Sequence, residues 1–351
     1  MPPPLVRKSS SAGFTLLELM VAVAVLALIM ALIAAVTNSV MSTIRRAEGQ
    51  IGAFTAARAA FDVMNQKISQ ATLNTYWDYY NDSGRRTPAN AANFVPTRYG
   101  RAADLQFLIR QNTQSQLAGS GQELYFQAPL AYADPDTGQT AYQSTQGLLN
   151  ACSFFVTYGS DREFRPDTVS GDRYRYRLMQ GVQPTEALRV FADAMSAPAA
   201  SPNWLTDIAP NGGYVTPIAE NVIALIVWPR LPANAPGHLD DGTELTTDYT
   251  YNSRPDTDNA RQTVTDYQLP PELMLTLIVI DENSWLRLDT RSGTPPSAIT
   301  GALQGRFQQS NESAYRRDLQ AVSDYLNEQR VKFKILTTTV SLRESKWSDT
   351  P

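Results

Sequence analysis

Residues 13–22 read Gly13-Phe14-Thr15-Leu16-Leu17-Glu18-Leu19-Met20-Val21-Ala22, and they open the longest apolar stretch of this 351-residue chain. No charge follows Glu18 until Arg45, and neither Pro nor Gly interrupts residues 19–36. About 20 consecutive apolar residues suffice for a helix to span a bilayer. The stretch therefore predicts one transmembrane helix near the amino terminus.

Two simpler interpretations of this stretch compete. A secretory signal peptide has a shorter apolar region of ~7–15 residues, followed by small residues at the cleavage site; here the small residues 9–13 come first. An ordinary anchor explains the length, and Arg7 and Lys8 as a positive flank that stays cytoplasmic. It does not explain Glu18, because an unpaired carboxylate in an apolar segment is costly.

The same residues carry a resemblance. Gly13 to Ala22 resembles the processing motif of type IV prepilins and type II secretion pseudopilins. The resemblance implies that a prepilin peptidase cuts after Gly13 and methylates Phe14, and that Glu18 meets the amino terminus of a neighbouring subunit. A buried charge persists when an opposite charge neutralises it. Glu18 follows Phe14 by about one helical turn, so helices staggered by one turn would align the pair.

Four segments organise the chain: a leader (1–13), a transmembrane part of the helix (14–36), an amphipathic part (37–75) and a globular head (76–351). The amphipathic part is predicted because apolar residues recur at helical spacing, at Ile44, Ile51, Phe54, Phe61, Met64, Ile68 and Leu73. The predicted helix runs from about Phe14 to about Thr75.

The head has the sequence pattern of a β-rich domain. Strands are predicted at 104–110, 123–127, 153–158, 174–179, 221–228, 272–280 and 331–342. A short helix is predicted at 185–195 and a longer one at 311–330, with Asn311 as its N-cap. Residues 76–100, 196–218 and 229–271 are interpreted as loops. The fold class is α+β: a pilin-like long helix packed on a mainly antiparallel head.

The order of these elements resembles one branch of the family, namely minor pseudopilin J and the W-type minor pilins, which carry a large β-rich head. The chain also resembles the Verru_Chthon cassette protein C group in its size, in the Tyr-rich region after the helix and in the Asp-rich insertion.

Composition excludes several chemistries. The net charge of −4 argues against a nucleic-acid partner. The single Cys, Cys152, rules out an internal disulfide and is expected to be buried, and the single His, His238, is expected in a solvated loop. No nucleophile elbow, P-loop or zinc spacing occurs. We therefore predict no catalytic residues and a protein that is not an enzyme.

Two acidic runs are the candidate metal ligands. Asp134 and Asp136 form one, and Asp240 and Asp241 form the other. Calcium prefers 6–8 oxygen ligands, but neither run has EF-hand spacing, and turn formation by Asp and Gly is the favoured interpretation. No cofactor is predicted, with calcium as the alternative.

Two further patterns each have a structural and a functional interpretation. Arg173, Arg175 and Arg177 alternate along one strand, and a solvated or Asp-paired face is favoured over an anion site. Trp77, Tyr79 and Tyr80 lie at the helix exit, and packing on the sheet is favoured over a binding patch.

The sequence thus predicts a minor pilin or pseudopilin, a structural subunit of a pilus-like filament or secretion pseudopilus, placed in a tip complex. Its expected partners are other pilins, the prepilin peptidase, the inner-membrane assembly platform and the lipid bilayer. It would insert once in a bacterial inner membrane, with its amino terminus cytoplasmic and its head periplasmic, before entering a filament at the cell surface. The rivals are a pilin-anchored adhesin or ligand-binding protein, and an envelope enzyme.

Overall fold

The computed structural model describes residues 15–81, 94–112, 120–134, 147–166, 168–192, 202–254, 263–289 and 291–349. The chain divides into two compact units, Met1–Gly49 and Gln50–Pro351.

The first helix, α1, extends over Leu16–Ile68. Within it, Leu16–Met41 is a 26-residue candidate membrane span whose most apolar 18-residue window has a mean hydropathy of 3.1, and no other helix in the described ranges is long and apolar enough to cross a membrane. Leu, Ala, Val, Ile and Met fill this segment, so its side chains match lipid while the helix satisfies its own backbone polar groups.

The helix ends at Ile68 and not near Thr75, as predicted. Gln70 and Ala71 close a turn by donating to the carbonyls of Lys67 and Ile68. Thr72 then leaves the helix to form an antiparallel bridge with Gln127. Pairing with a strand has overridden the helical spacing, which had continued to Leu73.

The last turns of α1 belong to the core of the second unit. Ala57, Ala60, Phe61, Met64 and Ile68 are buried there and recur at spacings of three and four residues, as expected for one helix face. A second contact fixes the end of the helix, because the backbone N–H of Arg343 donates to the carbonyl of Ser69 at 3.2 Å.

Eleven strands occur in the described residues and form three antiparallel sheets. Their bounds are β1 Tyr76–Tyr80, β2 Arg98–Ala102, β3 Leu108–Gln111, β4 Gln122–Ala128, β5 Asn150–Ser160, β6 Tyr174–Gln183, β7 Val215–Glu220, β8 Val222–Arg230, β9 Tyr251–Asn252, β10 Glu272–Ile280 and β11 Phe333–Ser341. The large sheet has the order β7-β6-β5-β4-β3-β9, the small sheet has the order β11-β10-β8, and β1 pairs with β2 as a separate ribbon. The predicted α+β class with an antiparallel, β-rich head is confirmed.

The two larger sheets meet at Gly121 and Asn221. Consecutive strands β7 and β8 belong to different sheets, and Asn221 between them has φ 61°, a left-handed conformation that Asn tolerates. At Gly121 (φ 94°) a Cβ would lie 1.7 Å from the carbonyl oxygen of Leu225. Next to it, the N–H of Leu225 donates to the Ser120 carbonyl at 2.9 Å. The sheets therefore touch backbone to backbone, which only glycine permits at this position.

Among the described residues of the head, three α-helices are longer than one turn: α2 Glu282–Leu288, α3 Ser297–Leu303 and α4 Glu312–Glu328. The predicted N-cap is confirmed, since the Asn311 side chain accepts from the Ala314 N–H at 2.8 Å. Helices α2 and α3 were not predicted, because each has only seven residues and too few turns to show a helical period.

The structure also corrects the predicted loops and the predicted short helix. Residues 229–271 are not a loop throughout, because they contain the end of β8 and all of β9. Residues 76–100 are not a loop throughout, because they contain β1 and the start of β2. Residues 196–218 include the start of β7. In the described part of the predicted helix at 185–195, the chain forms a 3₁₀ turn at Thr185–Ala187 and a helical stretch at 190–192, and residues 193–195 lie outside the described ranges. Pro184 and the cross-strand contacts of Asn150 hold this turn against β5.

Candidate functional site

The amino-terminal end of α1 is a capping box, built from Thr15 and Glu18. The N–H and the Oγ1 of Thr15 both donate to Glu18 Oε2, at 3.0 and 3.1 Å. In return, the Glu18 N–H donates to Thr15 Oγ1 at 3.2 Å. This reciprocal pairing satisfies donors that the first turn of every helix leaves without an intrahelical partner.

The capping box gives Glu18 a role within its own chain. A carboxylate in the first turn also faces the positive end of the helix dipole. Sequence analysis assigned Glu18 only to a neighbouring subunit and did not consider Thr15. The signal was present as Thr-x-x-Glu ahead of an apolar run, which is the pattern of a capping box.

The other residues assigned to processing and orientation are Arg7, Lys8, Gly13 and Phe14. They lie outside the described residues, which begin at Thr15.

Three of the four acidic candidates, Asp134, Asp240 and Asp241, lie in the described residues. No group of three or more His, Cys, Asp or Glu side chains there could hold a metal ion. Asp240 is fully exposed. Asp241 accepts from the N–H and Oγ1 of Thr243, at 3.1 and 2.8 Å, and these hydrogen bonds hold its pKa below the usual range. Asp134 lies at the edge of a described range, and Asp136 lies outside it.

His238 differs from the solvated histidine that was expected. Only 17% of its side chain is exposed, and its Nδ1 lies 3.6 Å from the carboxylate of Glu244, which is itself buried.

Cys152 is fully buried in β5, and this burial raises the pKa of its thiol to about 12. A thiol of this kind stays protonated at neutral pH and is a poor nucleophile.

The alternating arginines are not a solvated row. Arg173 is exposed, but Arg175 and Arg177 are buried. Arg175 donates to both carboxylate oxygens of Glu282, at 2.6 and 2.7 Å, and also lies 3.2 Å from Glu220. The arginines thus pair with glutamates from β7 and α2, at the corner where the two larger sheets meet.

Glu282 is held ionised by these contacts. Its burial opposes ionisation, but hydrogen bonds from Arg175 and from Asn221 (2.8 Å) outweigh that effect and hold its pKa below the usual value. The same network therefore fixes the left-handed Asn221, the start of α2 and the edge of β6. Its role is structural.

The aromatic side chains after α1 are divided between core and surface. Tyr80 is buried, but Trp77 and Tyr79 are 56% and 55% exposed. The favoured prediction that these rings pack on the sheet is therefore wrong for Trp77 and Tyr79. Across the β1–β2 ribbon, Trp77 stacks on Tyr99 with ring centroids 5.3 Å apart, and Tyr79 packs against Tyr99 in a tilted arrangement at 5.2 Å.

Comparison with known families identifies the amino-terminal segment. Residues 8–34 match the prokaryotic N-terminal methylation motif. Neither the curated proteins nor the solved structures gave a match. The motif supports a type IV pilin-like or pseudopilin-like protein and points to a structural subunit rather than an enzyme. Together with the apolar segment of α1, it fits a membrane-anchored, single-pass chain that is processed by a prepilin peptidase and assembles with other pilins.

Proposed function

We propose that this chain is a minor pilin or pseudopilin, a structural subunit in the tip complex of a pilus-like filament or a secretion pseudopilus. The observation that carries the proposal is the methylation motif at residues 8–34, which includes the capped start and most of the apolar part of α1.

In this proposal Gly13 and Phe14 are the processing residues. The peptidase cleaves between them and methylates Phe14, while Arg7 and Lys8 keep the leader on the cytoplasmic side. The head then lies in the periplasm of a bacterium, and an inner-membrane assembly platform extracts the chain into the filament.

Glu18 takes part in assembly by pairing with the freed α-amine of a neighbouring subunit. A carboxylate among packed apolar helices needs a countercharge, and an α-amine is cationic at neutral pH. The capping box supports this role, because Thr15 holds the carboxylate at the first turn of α1.

The size of the head supports a minor subunit at the tip. The second unit extends over Gln50–Pro351, and helices stacked along a shaft leave little room around each subunit. Fewer neighbours surround a subunit at the tip. The order of elements predicted from the sequence resembles that of minor pseudopilin J and the W-type minor pilins, which agrees with this placement.

Fractionation of the source bacterium tests the proposal. Sheared filaments and membranes would be separated, and this chain would be quantified in both by mass spectrometry against the most abundant prepilin. We expect processed chain in the filament fraction at a small fraction of the major subunit. If this chain is the most abundant subunit, the tip assignment is wrong. If it occurs only in membranes, with its leader intact, the assignment as a subunit is wrong.

A further inference from the structure

The β1–β2 ribbon carries a cluster of exposed aromatic rings: Trp77, Tyr79 and Tyr99, with exposed fractions of 56%, 55% and 59%. Tyr99 stacks on Trp77 with an angle of 21° between the ring planes. Large apolar side chains clustered on a surface mark a binding site more often than single ones do.

The ribbon is fixed to the head rather than free. On its buried side, the hydroxyl of Tyr80 donates to the carbonyl of Arg101 at 2.6 Å. The guanidinium of Arg101 donates to the backbone carbonyls of Thr263, Val264 and Asp266, at 3.2–3.3 Å. The rings are therefore held in place before any ligand arrives, which lowers the entropy cost of binding.

A groove of about 260 Å³ runs beside Trp77. Its walls combine aromatic and polar side chains: Tyr76, Trp77, Tyr267, Gln268, Glu344 and Lys346. The segment that carries Glu344 and Lys346 is anchored, because the Gln268 amide exchanges two 2.8 Å hydrogen bonds with the backbone of Ser348. Both walls of the groove are thus fixed to the same loop, residues 263–268.

Three charged side chains line the groove, but Arg101 is buried and its guanidinium donates to the carbonyls of the 263–268 loop. The two exposed charges, Glu344 and Lys346, have opposite signs. Glu344 and Lys346 are exposed, and neither forms an ion pair or hydrogen bond within the described ranges. A carboxylate accepts hydrogen bonds and an ammonium donates them. The pair can therefore hydrogen-bond to the hydroxyl groups of a ligand, which both donate and accept. Because the two exposed charges cancel and the guanidinium of Arg101 is turned to the loop, the groove offers a ligand no net exposed charge.

We propose that this groove binds a neutral oligosaccharide. The C–H face of a pyranose ring is apolar and stacks on the indole of Trp77, and its hydroxyls hydrogen-bond to Glu344 and Lys346. The groove is slightly smaller than the roughly 300–1,000 Å³ typical of small-molecule pockets, so it accommodates a short unit of a longer chain. This binding role goes beyond the proposed filament function and does not depend on it.

Polysaccharide binding by the full chain tests the proposal. The chain would be solubilised in a detergent without a sugar headgroup and incubated with chitin, cellulose and mannan. The affinity for soluble chitohexaose would be measured by titration. We expect retention on at least one of these neutral polymers, unchanged by added salt. Trp77→Ala should weaken binding by roughly tenfold or more, as alanine substitution does for other stacked ring ligands, and Trp77→Phe should retain part of it.

Phe164→Ala is the matched control, because Phe164 is 42% exposed and does not line the groove. It should bind as the wild type does, and thermal unfolding should show Trp77→Ala folded. Retention on none of the three polymers would overturn the proposal. So would Trp77-dependent binding to dextran sulfate, to phosphatidylglycerol vesicles or to poly-L-proline in their place, or an equal loss in Phe164→Ala.

Discussion

Thr15 and Glu18 cap α1 together, with Glu18 Oε2 lying 3.0 Å from the N–H and 3.1 Å from the hydroxyl of Thr15. Glu18 therefore has partners in its own chain before a neighbouring subunit arrives. A loss of function in Glu18→Ala would not distinguish a lost cap from a lost ion pair. The following substitution separates the two.

Glu18→Gln should leave the chain inserted and processed but poorly incorporated into filaments. Gln keeps the acceptor oxygen that a capping box needs and removes the charge that an α-amine would neutralise. Thr15→Ala is the converse: it should cost about 1 kcal/mol of helix stability and still allow incorporation. Stoichiometry in membrane and filament fractions measures both. Wild-type incorporation of Glu18→Gln would show that Glu18 acts only as a cap.

Gly13→Leu should block processing. The peptidase must accommodate a small residue at the membrane surface, and a bulky side chain would leave the leader on the chain. Intact-mass spectrometry would then find the uncleaved precursor without a methyl group, in membranes only. Gly52→Ala is the control, since Gly52 lies further along the chain, within α1, with open space around its Cβ position. Efficient cleavage of the Gly13→Leu chain at this bond would refute the assignment.

Gly121→Ala should destabilise the head by about 3–5 kcal/mol, because a Cβ would clash with the Leu225 carbonyl and the residue has a positive φ. Gly171→Ala measures the cost of the positive φ alone, without a steric clash. Gly171 has φ 90° with nothing within 4 Å of a Cβ, so its cost should be only about 1–2 kcal/mol. Denaturant unfolding of the two variants in micelles gives the comparison, and equal losses would mean that the sheets do not meet at Gly121.

Glu282→Gln should cost about 2–3 kcal/mol near neutral pH, because Arg175 would keep a buried charge with only Glu220 as partner. The folded pKa of Glu282 lies below its usual value of 4.5. Its contribution is therefore complete above 4.5 and is lost as the pH falls through the folded pKa. The difference between wild type and variant should shrink in that acid range.

Asp62→Asn is the matched control for Glu282→Gln. It removes an exposed ion pair with Arg58, four residues earlier in the same helix, and should cost less than about 0.5 kcal/mol. Unfolding curves measured from neutral to acid pH test both variants. A pH-independent loss in Glu282→Gln would contradict the ion-pair explanation.

Local patterns predicted the buried elements well. The apolar run at 272–280 coincides with β10, and the 221–228 run lies within one or two residues of β8. Asn311 was identified as the cap of α4 from its position ahead of an amphipathic repeat. In each case the signal lies within a few neighbouring residues.

Contacts between distant residues explain what sequence analysis missed. Arg175 is buried because Glu282, 107 positions away, neutralises it, and no local pattern reveals such a pair. The β1–β2 ribbon joins Tyr79 to Tyr99 across a long connection without a hairpin signature. At the amino terminus, the capping box of Thr15 and Glu18 is a local pattern that could have been predicted. It was missed because Glu18 was assigned to a contact between subunits.

The chain at the end of α1 contacts both the six-stranded and the three-stranded sheet. Thr72 pairs with Gln127 of β4, and Ser69 accepts a hydrogen bond from Arg343, just after β11. A filament that extends or retracts would pull on the head along this helix. The tension would divide between the two sheets at neighbouring points. Neither β4 nor β11 alone would then carry the force that pulls a strand from the edge of its contact with α1. Under the proposed function, the attachment would distribute mechanical load and help the head to stay folded while its anchor is extracted from the bilayer.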